Sequence, residues 1–225
     1  SLRIEELLQA CVEGHEIQAS DALKLFSVTR KELSALRRTA NHLRALQVGE
    51  KVTYVVNRNI NFTNVCVKSC KFCAFARPIR SKDAYFLNKR VILTKVQEAV
   101  SVGATEICLQ AGLAPMSNPR FYTQICEAIK NQFPDIHIHA FSPEEIKYAA
   151  HLTNRSIREI LYELKQAGLG SLPGTSAEIL DDNLRKSISP GRISSEEWVH
   201  VIQTAHELQI PTTATMMFGH LETPW

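Results

Sequence analysis

The run Cys66-Val67-Lys68-Ser69-Cys70-Lys71-Phe72-Cys73 places three cysteines at C-x3-C-x2-C spacing, with an aromatic residue just before the last. Three is the number that matters. A closed structural metal site takes four protein ligands, whereas a site that works on a small molecule keeps one position open. Thiolates are soft ligands suited to iron and sulfur. A cubane 4Fe-4S cluster held by Cys66, Cys70 and Cys73 would leave one iron free of protein. A zinc knuckle is the competing reading. It needs a fourth ligand, and the nearest Cys or His in sequence are His42, on an expected helix, and Cys108, inside an expected strand.

Immediately before the triplet, 59–65 reads as a β-strand, and further apolar runs at 52–56, 105–111, 136–141, 170–173 and 212–218 read the same way. Helices alternate with them, opening at Thr94-x-x-Gln97, Ser142-Pro143-x-Glu145, Ser156-x-x-Glu159 and Ser194-x-x-Glu197, with two ending near Gly103 and Gly168. Repeated strand–helix units of this kind build a parallel sheet, either open or closed into a barrel. The cysteine loop favours the barrel, because parallel barrels carry their reactive groups at the C-terminal ends of strands. Before this cycle, residues 1–50 read as a helical extension, with Ile4, Leu7, Leu8 and Cys11 at helical spacing and new segments starting at Ser20 and at the capping box Thr29-x-x-Glu32. The expected division is therefore 1–50, helical, and 51–225, an α/β partial barrel of the parallel (β/α) type. The chain stops at Trp225 directly after a strand and begins at Ser1, and a full barrel takes roughly 250 residues. We expect a fragment lacking its C-terminal strands, with an unpaired sheet edge that favours association.

Composition is that of a soluble globular protein, 44% hydrophobic and 22% charged over 225 residues. Six cysteines without a signal peptide or a long apolar run fit the reducing cytoplasm and no membrane. A net charge of +3 gives no case for nucleic acid. Around the triplet, however, Lys68, Lys71, Arg77, Arg80, Lys82, Lys89 and Arg90 form a basic collar with Asp83 as its one acid. Such a collar attracts an acidic electron donor of the flavodoxin or ferredoxin type, or is simply a solvated loop.

Other candidate side chains sit at strand ends. His137 and His139 share a face of their strand; His139, nearer its C-terminal end, is the better candidate for carrying a proton or orienting substrate, and the alternative is a hydrogen-bonded structural pair. Gln110 and Gly112 end the previous strand, where an amide reads polar edges and a glycine admits close approach. Ser142 follows the histidine strand. Glu178, in a glycine-containing turn, can accept from an amine or a hydroxyl, and Arg185 or Arg192 can pair with a carboxylate. His220 follows the last strand as a candidate adenosine-side contact.

Taken together, the stretches Asn59-Ile60-Asn61-Phe62-Thr63-Asn64-Val65-Cys66, Cys73-Ala74-Phe75-Ala76-Arg77, Gln110-Ala111-Gly112-Leu113, His137-Ile138-His139-Ala140-Phe141-Ser142-Pro143 and Thr215-Met216-Met217-Phe218-Gly219-His220 resemble radical SAM enzymes, in the group holding FO synthase and the futalosine-pathway menaquinone enzymes. The resemblance runs from about Leu2 to Trp225. Gln110-Ala111-Gly112-Leu113 and Gly174-Thr175-Ser176-Ala177-Glu178 favour the FO synthase side. It implies a 4Fe-4S cluster on Cys66, Cys70 and Cys73 whose free iron chelates S-adenosylmethionine. By their places at the strand ends, Gln110, Gly112, Ser142, Glu178, Arg192 and His220 are the candidate contacts to that cofactor or to substrate, and His139 and Glu178 the candidate catalytic side chains. The implied reaction is a transfer in deazaflavin biosynthesis: a 5′-deoxyadenosyl radical fragments L-tyrosine, and the 4-hydroxybenzyl unit joins 5-amino-6-(D-ribitylamino)uracil. A companion FO synthase subunit would then close the ring. Cyclization of dehypoxanthine futalosine and a non-catalytic iron–sulfur redox or electron-transfer domain are the alternatives.

Overall fold

The computed structural model describes residues 3–115, 118 and 120–225. They fall into two compact units, one comprising residues 1–54 with 220–225 and the other 55–219. The first unit holds α1 (Ile4–Val12), α2 (Ala19–Leu25) and α3 (Arg30–Val48). Thr29 caps α3 through the expected reciprocal bonds with Glu32. Ser20 does not open α2; it lies one residue inside, and Gln18 is the N-cap.

The second unit is built on a parallel sheet of β1 (Asn57–Ile60), β2 (Glu106–Leu109) and β3 (His137–Ala140), in that order. Parallel bridges His139↔Ser171 and Leu172↔Thr212 extend the row to two more chain segments. Five parallel segments in sequence order form the incomplete barrel expected from the strand–helix alternation. The segment 52–56 is not a strand. Val52 and Tyr54 are exposed, and the ladder starts at Asn57, two residues earlier than expected for the next run.

The helices are α4 (Lys89–Ser101), α5 (Phe121–Gln132), α6 (Pro143–Thr153), α7 (Ile157–Gln166), α8 (Asp182–Ile188) and α9 (Ser195–Glu207). Ser142, Ser156 and Ser194 form the expected capping boxes at α6, α7 and α9. By contrast α4 begins five residues before Thr94, capped by Asn88, whose side chain accepts from Val91 N–H. Thr94 instead turns its hydroxyl back to the Arg90 carbonyl, a mid-helix role open to any threonine. Helices α5 and α8 lack a capping-box signature, and neither stood out in the sequence.

Strand alternation divides the sheet into two faces. Ile107 and Leu109 of β2 and Ile138 and Ala140 of β3 are fully buried in one core with Ile92 and Val96 of α4, Ile125 and Ile129 of α5, Ile146 of α6 and Leu161 of α7. Burying each such side chain contributes about 1.5–3 kcal/mol. The opposite, inner face carries Glu106, Cys108, His137 and His139. The apolar face therefore fixes the register, and the register places the polar side chains of the inner face.

Candidate active site

The cysteine loop is held at three points. Cys66 N–H donates to the Arg77 carbonyl at 3.1 Å and Arg77 N–H to the Asn64 carbonyl at 2.8 Å, closing the loop at its base. Val67 N–H donates to the Leu113 carbonyl at 3.0 Å and Lys71 N–H to the Ile188 carbonyl at 2.8 Å, tying it to the segment after β2 and to α8. Gly112 packs so closely that a Cβ there would lie 2.2 Å from the Val65 carbonyl oxygen and 2.9 Å from Cys66 Cβ. Only glycine allows this approach.

Cys66, Cys70 and Cys73 open on a cavity of about 220 Å³, whose wall also carries Gln110, Gly112, Ser142, Glu144, Glu145, Thr175, Ser176 and Arg192. Gln110 is fixed there, its amide donating to Cys108 Sγ at 3.1 Å and accepting from Thr175 Oγ1 at 3.2 Å. Arg192 is the electrostatic hub. Its guanidinium lies 3.2 Å from Glu178 Oε1 and 3.6 Å from Glu144 Oε2, donates to the Ser176 hydroxyl, and sits 5.9 Å from the centre of the Phe72 ring. Burial pushes the Cys70 thiol up, the neighbouring Cys66 and Cys73 add to that, and Arg192 pulls it back down.

Thr175, Ser176, Glu144 and Glu145 of this wall were not among the candidates from sequence, and the two acids matter most. Glu144 and Glu145 are both buried. Glu144 accepts from Ile193 N–H at 2.7 Å and pairs with Lys68 at 3.3 Å, while Glu145 accepts from Ser142 and, at 3.2 Å, from Ala111 N–H. Burial pushes Glu145 up to about 7 against the pull of those donors. Their signal is the double acid in the first turn of α6, of which the capping box accounts only for Glu145. The Ser142 hydroxyl donates to Glu145 at 2.7 Å, and Ser142 lines the cavity.

Arg185 is buried; its guanidinium donates to the carbonyls of Ser176, Ala177, Ile179 and Ile193, and its Nε lies 3.8 Å from Asp182 Oδ1. The loop it braces holds Ser176 at φ 73° and Glu178 at φ 48°. Left-handed non-glycine residues of this kind gather at ligand clamps. His139 is joined to His137 through Ser171 on the inner face. His220 belongs to the first unit, where its ring nitrogen lies 3.3 Å from Glu222. In the basic collar, Arg77 is paired with Asp83 at 2.5 Å and Lys68 with Glu144, while Lys71, Arg80, Lys82, Lys89 and Arg90 form no ion pair among the described residues.

The sequence profile of the radical SAM superfamily matches residues 60–225. The chain belongs to the radical SAM superfamily. Relatives of this radical SAM chain include 5-amino-6-(D-ribitylamino)uracil--L-tyrosine 4-hydroxyphenyl transferases from Methanothermobacter thermautotrophicus, 46% identical over 99% of this chain and 60% of its own length, and from Archaeoglobus fulgidus, 51% identical over 83% and 53%. The chain thus spans about 60% of the first of these relatives. In solved structures its fold is similar to the FeFe-hydrogenase maturase HydG from Carboxydothermus hydrogenoformans, with a TM-score of 0.73 at 18% identity, covering 98% of this chain and 49% of that one. It is also similar to Streptococcus suis SuiB bound to S-adenosylmethionine, with a TM-score of 0.51 at 14% identity, covering 87% and 41%.

Membership implies S-adenosylmethionine and an iron–sulfur cluster. The donor set fits them: three free thiols from one loop share a cavity wall with a cation, carboxylates and hydroxyls. Among the described residues no three His, Cys, Asp or Glu side chains stand at metal-ligand spacing. Among these residues, too, no helix is long and apolar enough to cross a membrane.

Proposed function

We propose that the chain is the cluster-bearing barrel of a 4-hydroxyphenyl transferase that acts on L-tyrosine and 5-amino-6-(D-ribitylamino)uracil. The carrying observation is 41–51% identity to relatives of that name, over nearly the whole chain for most of them. Residues 51–225 would make up the barrel portion and 1–50 the helical extension, although 51–54 and 220–225 group with the helices as a compact unit. Cys66, Cys70 and Cys73 would hold a 4Fe-4S cluster and leave one iron for S-adenosylmethionine. When bound and reduced, that cluster supplies the electron that splits the sulfonium into methionine and a 5′-deoxyadenosyl radical.

The rest falls to the side chains. Arg192 would receive a carboxylate, with the Phe72 ring 5.9 Å from its charge and Glu178 and Glu144 restraining its orientation. Glu178 and Ser176 offer acceptors to an ammonium or a ribose hydroxyl. Gln110 reads a polar edge from its fixed rotamer. Gly112 sets the depth of the cysteine loop, and His139 carries a proton. His220 has no part in this assignment.

Two partners follow. A companion subunit would complete the deazaflavin ring, and an acidic electron donor would dock on Lys71, Arg80, Lys82, Lys89 and Arg90 in a reducing cytoplasm. Cluster reduction by that donor should slow steeply as ionic strength rises; a flat dependence would remove the docking surface.

The deciding experiment gives the anaerobically reconstituted full-length protein L-tyrosine with the ribitylaminouracil, or dehypoxanthine futalosine alone. The transferase forms a joined hydroxybenzyl–uracil product from the first mixture. Turnover of the futalosine alone would overturn the assignment.

A further inference from the structure

The inner face of the sheet carries a polar row that the cavity does not use. Ser171 Oγ lies 2.7 Å from His137 Nε2 and 2.7 Å from His139 Nδ1. Glu106 Oε2 lies 3.8 Å from His137 Nε2, and Asn57 steadies the other carboxylate oxygen at 3.0 Å. A Cβ on Gly170 would come within 2.4 Å of the His137 ring, so glycine is what leaves that ring its place. His139 stands in register with Cys108, which accepts from Gln110 of the cavity wall. The row therefore runs from the start of β2 towards the end of the strands where the cavity opens.

A hydroxyl has one proton. Between two imidazole nitrogens it donates to one and accepts from the other, so the two rings must hold complementary tautomers. We infer that Ser171 is a positioning residue that couples His139 and His137 into a one-proton relay, with His139 Nε2 as the base facing substrate and Glu106 as counter-charge. The inference rests on the transferase reading, which supplies an amino-substituted uracil as a source of an acidic N–H.

The proton balance closes. The substrate nitrogen keeps its electron pair and gives its proton to His139 Nε2. His139 releases its Nδ1 proton to Ser171 Oγ, and Ser171 releases its own to His137 Nε2. His139 and Ser171 end neutral, and His137 ends as an imidazolium beside the Glu106 carboxylate. The His137 side chain is 43% exposed, so it can return the proton to water. Burial lowers the His139 pKa, which keeps its ring neutral and able to accept; Glu106 opposes this and His137 adds to it. The other group facing His139 from β2 is Cys108, whose thiol burial keeps protonated near neutral pH.

The test uses full-length protein labelled with 15N-histidine. In the wild type the neutral His139 ring should carry its proton on Nδ1 and the neutral His137 ring should leave Nε2 bare, the complementary pair that one hydroxyl between them requires. Ser171→Ala should make the two rings titrate independently and slow joined-product formation about 100-fold, with tyrosine-dependent 5′-deoxyadenosine still formed. Ser171→Thr keeps a hydroxyl and should restore both signals. Rings that titrate identically in wild type and Ser171→Ala overturn the relay, as does an unchanged product rate. Failure of the transferase reading is distinguishable, because it appears as no joined product from the wild type while the coupled titration persists.

Discussion

Two polar regions lie on one sheet, and they are built differently. The cavity wall is assembled from loops beyond the strand ends, and its charges are held by other charges: Lys68 on Glu144, Arg192 on Glu144 and Glu178. The histidine row is assembled from strand side chains at fixed register and held by one neutral hydroxyl. Loop-built sites can shift to enclose a ligand, whereas a strand-built row is fixed wherever the hydrophobic face is fixed. The difference predicts that each region can be damaged while the other survives.

The largest effect should come from the cysteines. Cys66→Ser should lower iron retained after anaerobic reconstitution to a small fraction of wild type and leave the imidazole 15N spectrum unchanged; a matched loss in both would merge the two regions. Next comes the arginine under the cavity loop. Arg185→Ala strands four buried carbonyls and should cost about 4 kcal/mol in denaturant unfolding. Arg192→Lys keeps a cation at the cavity and should cost less than about 1 kcal/mol, while weakening S-adenosylmethionine binding measured by calorimetry.

Glu145 gives the cavity a pH signature. Its folded pKa is raised from 4.5 to about 7, so the folded state holds an extra proton between those values and stability falls as pH rises through that window. Relative to Glu145→Gln, which does not titrate, the wild type should lose up to about 3 kcal/mol from pH 4.5 to 7. Chemical denaturation at several pH values checks this. A smaller effect than that of Glu145 separates two glycines. Gly112→Ala drives a methyl group into backbone and should cost about 2 kcal/mol with poorer cluster retention, while Gly170→Ala meets a side chain that can turn and should cost about 1 kcal/mol. A reversed order would mean that the row is the stiffer constraint on folding.

Much of this was legible because it is local. The C-x3-C-x2-C spacing, the alternation of His137 with His139 and the capping boxes at Ser142, Ser156 and Ser194 are all set within a few residues. What was illegible depends on distance. Nothing in the sequence pairs Arg192 with Glu144, 48 positions away, or tells Arg185, which donates to four carbonyls, from Arg192, which pairs with Glu144 and Glu178. Ser171 is an ordinary serine until register sets it between two imidazoles. The apolar run at 52–56 misled for the opposite reason: its composition favours a strand, yet the parallel ladder starts only at Asn57.

The most direct measurement of the central claim is 5′-deoxyadenosine release by the reconstituted, reduced full-length protein given S-adenosylmethionine. The account predicts release that rises when L-tyrosine is added and vanishes in Cys66→Ser, Cys70→Ser and Cys73→Ser. Absence of 5′-deoxyadenosine from an iron-loaded, reduced wild type, or undiminished release from the cysteine variants, would contradict it.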